Sequence, residues 1–140
     1  MTNETIDTRD MTNLRFSGHE TFACRYAWLP KAYKALTANP AQFSDEDGAM
    51  VELGLGKNMV RSLRFWTENT GLAIPDAQRN LVLTEFAHAV FATDGHDPYL
   101  EDVRTLWLIH WNLASRNDGA LFAWRFLLNH WPYPEFTRSE

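Results

Sequence analysis

A single cysteine, Cys24, stands in this chain of 140 residues. A lone thiol excludes an internal disulfide and a cysteine-based zinc knuckle, and it fits a reducing compartment. Long apolar runs are missing as well: none approaches the length of a membrane span. The first ten residues, MTNETIDTRD, are polar and of mixed charge, which excludes a secretory signal peptide. The expected location is therefore the cytoplasm, with no membrane partner. Positive charge is in short supply, since 13 Lys and Arg face 18 Asp and Glu for a net charge of −5. Such a chain does not coat nucleic acid through its overall field. Repeats and low-complexity tracts are absent.

What is present is apolar and aromatic. With 45% apolar and 14% aromatic residues the chain is large enough for one core and too short for two ordinary ones. Residues 1–13 are polar and without periodicity, the composition of a disordered leader. The expected architecture is one domain over 14–140. Its charge is unevenly spread: between Lys57 and Asn80, Lys57, Arg61, Arg64 and Arg79 oppose only Glu68 and Asp76, so this segment carries +2 and the remainder −7.

Apolar periodicity divides the domain. Phe22, Tyr26, Leu29, Tyr33 and Leu36 recur at helical spacing, and Ser17 with Glu20 has the form of a capping box, predicting a helix from residue 17. Pro30 either kinks that helix or begins a second one. Ala49, Met50 and Leu53 predict a short helix opening near Asp45 and closing at Gly54. A second helix from Lys57 turns Val60, Leu63 and Thr67 inward and is closed by Gly71. Ala73–Pro75 and Leu81–Leu83 have the pattern of two short strands, followed by a helix capped at Thr84. Helix, turn, helix, hairpin is the winged-helix order, so the expected fold class is mainly α with a small β-hairpin, a winged helix-turn-helix core carrying further aromatic-rich helices. Those are one helix through Val103, Leu106, Trp107, His110 and Leu113, and another from Asn117 or Asp118 to Trp131. Thr137–Glu140 forms a capping box with no helix after it, as in the N-terminal fragment of a longer protein.

The stretch LGLGKNMVRSLRFW, residues 53–66, poses the functional question. A Walker-type loop needs glycine where Val51 stands and a hydroxyl where Asn58 stands, and a dinucleotide fingerprint needs glycine in place of Met59. A helix-turn-helix needs only what is present. With Val60, Leu63 and Thr67 inward, Lys57, Asn58, Arg61 and Phe65 are expected to face outward, with Arg64 at the edge and Arg79 in the wing loop. Arginine pairs two donors with guanine, asparagine bonds adenine at two points, and lysine at a helix start meets phosphate. The expected partner is double-stranded DNA. The plainer reading is a helix pair that serves packing alone, with its arginines solvated.

Other clusters carry less. His19, Glu20 and Arg25 are of the type used in acid–base chemistry, but a zincin would need histidine where Ala23 stands. Asp94, Asp97, Glu101 and Asp102 are oxygen ligands suited to magnesium, yet Asp97 as N-cap with Pro98 in the first helical position explains them more simply. His110 lies on an apolar helix face and is expected to be a satisfied core residue, His88, His96 and His130 share no ligand spacing, and Cys24 has no local cause for a lowered pKa. No metal or cofactor is expected.

SGHETF with Arg25 and Trp28-Leu29, then LGLGKNMVRSLRFW, then DPYLED with TLWLIHW together resemble a bacterial family of unknown function whose members are similar to the SspB-type component of DNA phosphorothioation systems. The resemblance spans about residues 14–138. It implies a role in DNA modification or phage defence by sulfur incorporation, with strand nicking as a candidate activity and sulfur-transfer proteins as partners. Docking onto a sulfurtransferase is the alternative role for the domain. Gly56, Lys57, Asn58, Arg61 and Arg64 match the family block, as do His19, Glu20, Arg25 and Trp28. The resemblance assigns no catalytic residue.

Overall fold

The computed structural model describes residues 16–116 and 121–137. The leader 1–13, the helix start at Asn117 or Asp118 and the end of the terminal capping box lie outside these residues. The described chain is mainly helical, with six helices and one antiparallel hairpin: α1 (Trp28–Ala38), α2 (Glu46–Leu53), α3 (Lys57–Asn69), β1 (Ala73–Pro75), β2 (Leu81–Leu83), α4 (Glu85–Phe91), α5 (Val103–Ser115) and α6 (Phe122–Asn129).

The predicted helix start at Ser17 is corrected. Helix α1 begins at Trp28, and residues 17–27 form an irregular segment with Gly18, Glu20 and Thr21 at φ +128°, +50° and +63°. A run of left-handed residues cannot be helical. Tertiary bonds override the apolar periodicity here: the Phe22 carbonyl oxygen accepts from Trp66 Nε1 at 3.0 Å and from Ser62 Oγ at 3.4 Å, both on α3. Pro30 occupies the third position of α1, within the first turn whose N–H groups lack intrahelical acceptors.

The α2–α3 unit forms as its residues dictate. Asp45 caps α2 by accepting from the Gly48 amide at 3.1 Å. Gly54 ends it at φ +63°, a conformation glycine adopts without Cβ strain. Gly56 then caps α3. Helix α3 packs against α1, α2 and β1, so the core runs through Leu29, Leu36, Ala49, Leu53, Val60, Leu63, Leu72 and Leu81. The hairpin pairs Ala73 with Leu83, Ile74 with Val82 and Pro75 with Leu81, and Leu81 N–H donates to the Pro40 oxygen. Thr84 caps α4, accepting from the Ala87 amide at 3.2 Å while its hydroxyl donates to the Gly71 oxygen at 2.7 Å.

Helices α5 and α6 pack on each other. They join the rest through Ile109, Leu113 and Leu121, with Asn112 Nδ2 donating to the Thr70 oxygen and Arg116 Nη1 to the Glu68 oxygen. The expected N-cap of α5 is also corrected: Asp102 holds that place, not Asp97. Asp97 is buried five residues earlier and accepts from the Glu101 and Asp102 amides at 2.8 and 3.0 Å. It caps the turn that leads into the helix. Leu100 within that turn has φ +57°, which bars an earlier helical start.

Candidate nucleic-acid interface

Helix α3 presents only its first turns to solvent. Lys57, Asn58 and Arg61 are exposed, whereas Val60, Ser62, Leu63, Phe65, Trp66, Thr67 and Asn69 are buried. The inward set Val60, Leu63 and Thr67 is as the spacing predicts. The outward placement of Phe65 is corrected: the ring is 4% exposed because the 17–27 segment lies over it. The His19 ring lies tilted against it, with centroids 5.8 Å apart, and a Cβ on Gly18 would stand 2.8 Å from Cδ2 of the ring. Phe65 therefore serves packing, and the outward face is confined to the first turn and a half.

Tertiary structure then gathers the cations. Arg61, Arg64 and Arg79 line one depression of about 370 Å³, together with Phe43, Ser44, Glu46 and Val60. Arg79 comes from the tip of the β1–β2 loop, where Asp76 Oδ1 accepts from the Gln78 and Asn80 amides and Arg79 adopts φ +67°. Arg64 is half-buried and structurally committed. Its Nε donates to Glu68 Oε1 at 3.0 Å, Nη1 to the Phe43 oxygen at 3.2 Å and Nη2 to the Arg79 oxygen at 2.8 Å.

Glu46, the first residue of α2, had no signal in the sequence. Its carboxylate receives Arg61 Nε at Oε1 and Arg61 Nη2 at Oε2 at 3.3 Å, and Lys57 Nζ lies 3.4 Å from Oε2. The Arg61 hydrogen bond, above all, holds this carboxyl below the usual carboxylate range, and the same bond raises the Arg61 guanidinium. Only the crossing of α2 over α3 brings Glu46, Lys57 and Arg61 together, because their separations in sequence match no local motif.

The remaining candidates are placed elsewhere. Desolvation by burial pushes the Cys24 thiol up to about 12, the opposite of an activated nucleophile. Arg25 lies over the Trp28 ring at 5.5 Å. Asp97 directs both oxygens at backbone amides, and Asp102 pairs with Arg104 at 2.7 Å. Among the described residues no group of three or more His, Cys, Asp or Glu is arranged to hold a metal ion. His110 is half-buried between Trp107 and Trp124 rather than in the core. No described helix is long and apolar enough to cross a membrane.

A sequence profile for DUF4007, a family described as proteins of unknown function, matches residues 16–140. The chain belongs to the DUF4007 family. Its domain is similar to the crystal structure of SspB, at 40% identity and a TM-score of 0.67 over 76% of this chain and 34% of that one. It is likewise similar to magnesium ion-bound SspB, at 40% identity and a TM-score of 0.66 over 71% of this chain and 31% of that one. The DUF4007 chain thus spans about a third of the length of these SspB structures. No curated protein matches it. Within this DUF4007 domain the first two sequence blocks meet in space: SGHETF lies on Ser62, Phe65 and Trp66 of the LGLGKNMVRSLRFW segment.

Proposed function

We propose that this DUF4007 domain is a winged helix-turn-helix that binds double-stranded DNA, as a component of a DNA phosphorothioation system of the SspB type acting in DNA modification and defence. The observation that carries this reading is the gathering of Arg61 and Arg79 at one depression, with Lys57 and Asn58 on the adjoining exposed turn of α3. A recognition helix uses its N-terminal residues at base edges, and a wing loop reaches the flanking backbone. Here the exposed part of α3 is its N-terminal part, and the loop that carries Arg79 is fastened beside it through Arg64. The net charge of the whole chain is negative, so binding rests on this local patch.

Gel shift on duplex DNA at two salt concentrations tests the proposal. Retardation at low salt, weakened at higher salt and removed by reversing the charge of Lys57 and Arg61, is the expected result. Absence of retardation at low salt, or its survival in the charge-reversed variant, removes the reading.

A second reading, docking onto a sulfurtransferase partner, is favoured by a different surface. Trp107 and Trp111 are each 67% exposed on α5, beside the half-exposed Leu108, Leu128 and Trp124. Exposed rings clustered on a helix pair are the usual mark of a protein contact. Co-purification with the sulfurtransferase, lost in a Trp107→Ser, Trp111→Ser variant that keeps its helical circular dichroism, is expected on this reading. Undiminished co-purification of that variant rules this face out.

A further inference from the structure

The Glu46 carboxylate lies against both the Arg61 guanidinium and the Lys57 ammonium. Its two oxygens face the edge of the Arg61 guanidinium while Lys57 approaches one of them from the side. That is how two non-bridging phosphate oxygens are held by an arginine fork and a lysine point charge. Glu20, in the irregular segment above α3, adds a second negative field at Arg61.

The fold does not require this contact. The start of α2 is secured by the Asp45 cap, its end by Gly54, and the α2–α3 packing by Ala49, Leu53, Val60 and Leu63. Side-chain exposures of 32%, 54% and 47% for Glu46, Lys57 and Arg61 put the triad in contact with water, where ion pairs are weak and exchange readily. A contact that contributes little to folding and occupies the two most exposed cations of α3 acts on what else those cations bind.

We infer that Glu46 is an internal substitute for a backbone phosphate, which occupies Lys57 and Arg61 in the free domain and is displaced when duplex DNA binds. This inference rests on the DNA-binding reading above and deepens it. The carboxylate is tethered, so it competes as an intramolecular ligand against every single anion. A duplex supplies several phosphates in register, to Lys57, Arg61 and Arg79 together, and releases condensed counterions as it does so. Glu46 therefore lowers affinity for isolated anions and for poorly docked DNA more than for a fully docked duplex. The displaced carboxylate turns to solvent and stays near the phosphate, a repulsion that the free lysine and arginine would not have.

The experiment measures duplex affinity by fluorescence anisotropy at low and moderate salt. It compares the unaltered chain with Glu46→Gln, Glu46→Ala, Glu52→Gln and a Lys57→Glu, Arg61→Glu pair. Glu52 is exposed on the same helix, so its variant removes one negative charge from α2 without touching the triad. Tighter binding of both Glu46 variants at low salt, by roughly three- to tenfold, with Glu52→Gln unchanged, is the expected result. Equal gains from Glu46→Gln and Glu52→Gln overturn the inference, because they reduce the effect to net charge. Unchanged affinity in the Glu46 variants, while the charge-reversed pair loses binding, overturns the inference and leaves the DNA-binding reading standing. No binding by any of the five proteins overturns both.

Discussion

Arg64 donates from Nη2 to the main-chain oxygen of Arg79 at 2.8 Å, and so fastens α3 to the tip of the hairpin loop. The other two faces of its guanidinium reach the Phe43 oxygen and the Glu68 carboxylate. Acceptors on two other segments, besides one on its own helix, make this arginine a brace rather than a free recognition side chain. Charged hydrogen bonds to partly buried acceptors contribute about 1–3 kcal/mol together, so Arg64→Ala is expected to lower the stability of the domain by that amount in urea unfolding. Lysine presents no fork and recovers only part of it. Arg61→Ala, whose contacts are exposed, leaves the urea midpoint where it was. An Arg64→Ala midpoint equal to that of Arg61→Ala removes the distinction.

Gly18 and Phe65 make a second diagnostic pair. A Cβ at residue 18 would stand 2.8 Å from the Phe65 ring, and at φ +128° the backbone itself resists any L side chain. Gly18→Ala is expected to cost about 1–3 kcal/mol through this strain and overlap. The His19 ring rests against Phe65 and Trp66, so the same variant shifts the His19 side-chain NMR signals by altered ring currents. Unmoved His19 signals together with unaltered stability would show that the segment does not dock on α3.

Asp97 predicts a pH dependence. Burial pulls its pKa upward, but hydrogen bonds from the Glu101 and Asp102 amides and from Thr105 together outweigh that and leave it lowered. A folded pKa below the unfolded value of about 3.9 means that the unfolded state binds more protons in that range. The carboxylate then contributes its full stabilisation above the unfolded value and loses it as the pH falls through the folded one. Asp97→Asn keeps one acceptor and loses the charge, costing about 1 kcal/mol near neutrality. Glu46 and Asp102 are lowered too, so the informative quantity is the difference between the two proteins. That difference is expected to shrink as the pH falls below about 5, through the unfolded value and on through the lower folded one, in acid titration of stability. A constant difference across the range excludes Asp97 as its source.

Much of the fold was legible because local chemistry decided it. Asp45, Gly54, Gly71 and Thr84 bound their elements where cap preferences put them, and two short apolar runs, Ala73–Pro75 and Leu81–Leu83, on either side of a polar loop were enough for the hairpin. The segment before α1 was not legible, since Ser17, Glu20, Phe22 and Tyr26 satisfy a helical pattern that the Phe22 contacts with Ser62 and Trp66 override. Phe65 was misplaced for the same reason: helical spacing assigns it to one face of α3 without saying what covers that face. Arg61 and Arg79 stood out as charges, but the distinction between Arg64 as a brace and Arg61 as an exposed cation depends on main-chain oxygens contributed by Phe43 and Arg79. Glu46 was invisible because a tertiary crossing, with no fixed spacing, brings it to its cations.

On the proposed DNA-binding reading, the exposed turn of α3 predicts how binding divides between backbone and bases. Lys57 and Arg61 are cations at a helix start, the position at which phosphate is met, and each contact to phosphate releases condensed counterion. Lys57→Gln and Arg61→Gln are each expected to reduce the slope of log affinity against log salt by about 0.9 and to weaken binding to all duplexes alike. Asn58, exposed between them and uncharged, is placed to meet base edges, where an amide bonds adenine at two points. Asn58→Ala is therefore expected to leave the salt slope unchanged and to narrow the affinity range across a set of duplexes that differ in sequence. Anisotropy titrations of the three variants at several salt concentrations separate these roles. A salt slope that stays constant in Lys57→Gln and Arg61→Gln would take those side chains off the phosphate backbone. A slope that falls in Asn58→Ala would mean that residue 58 acts by disturbing the helix start rather than by touching a base.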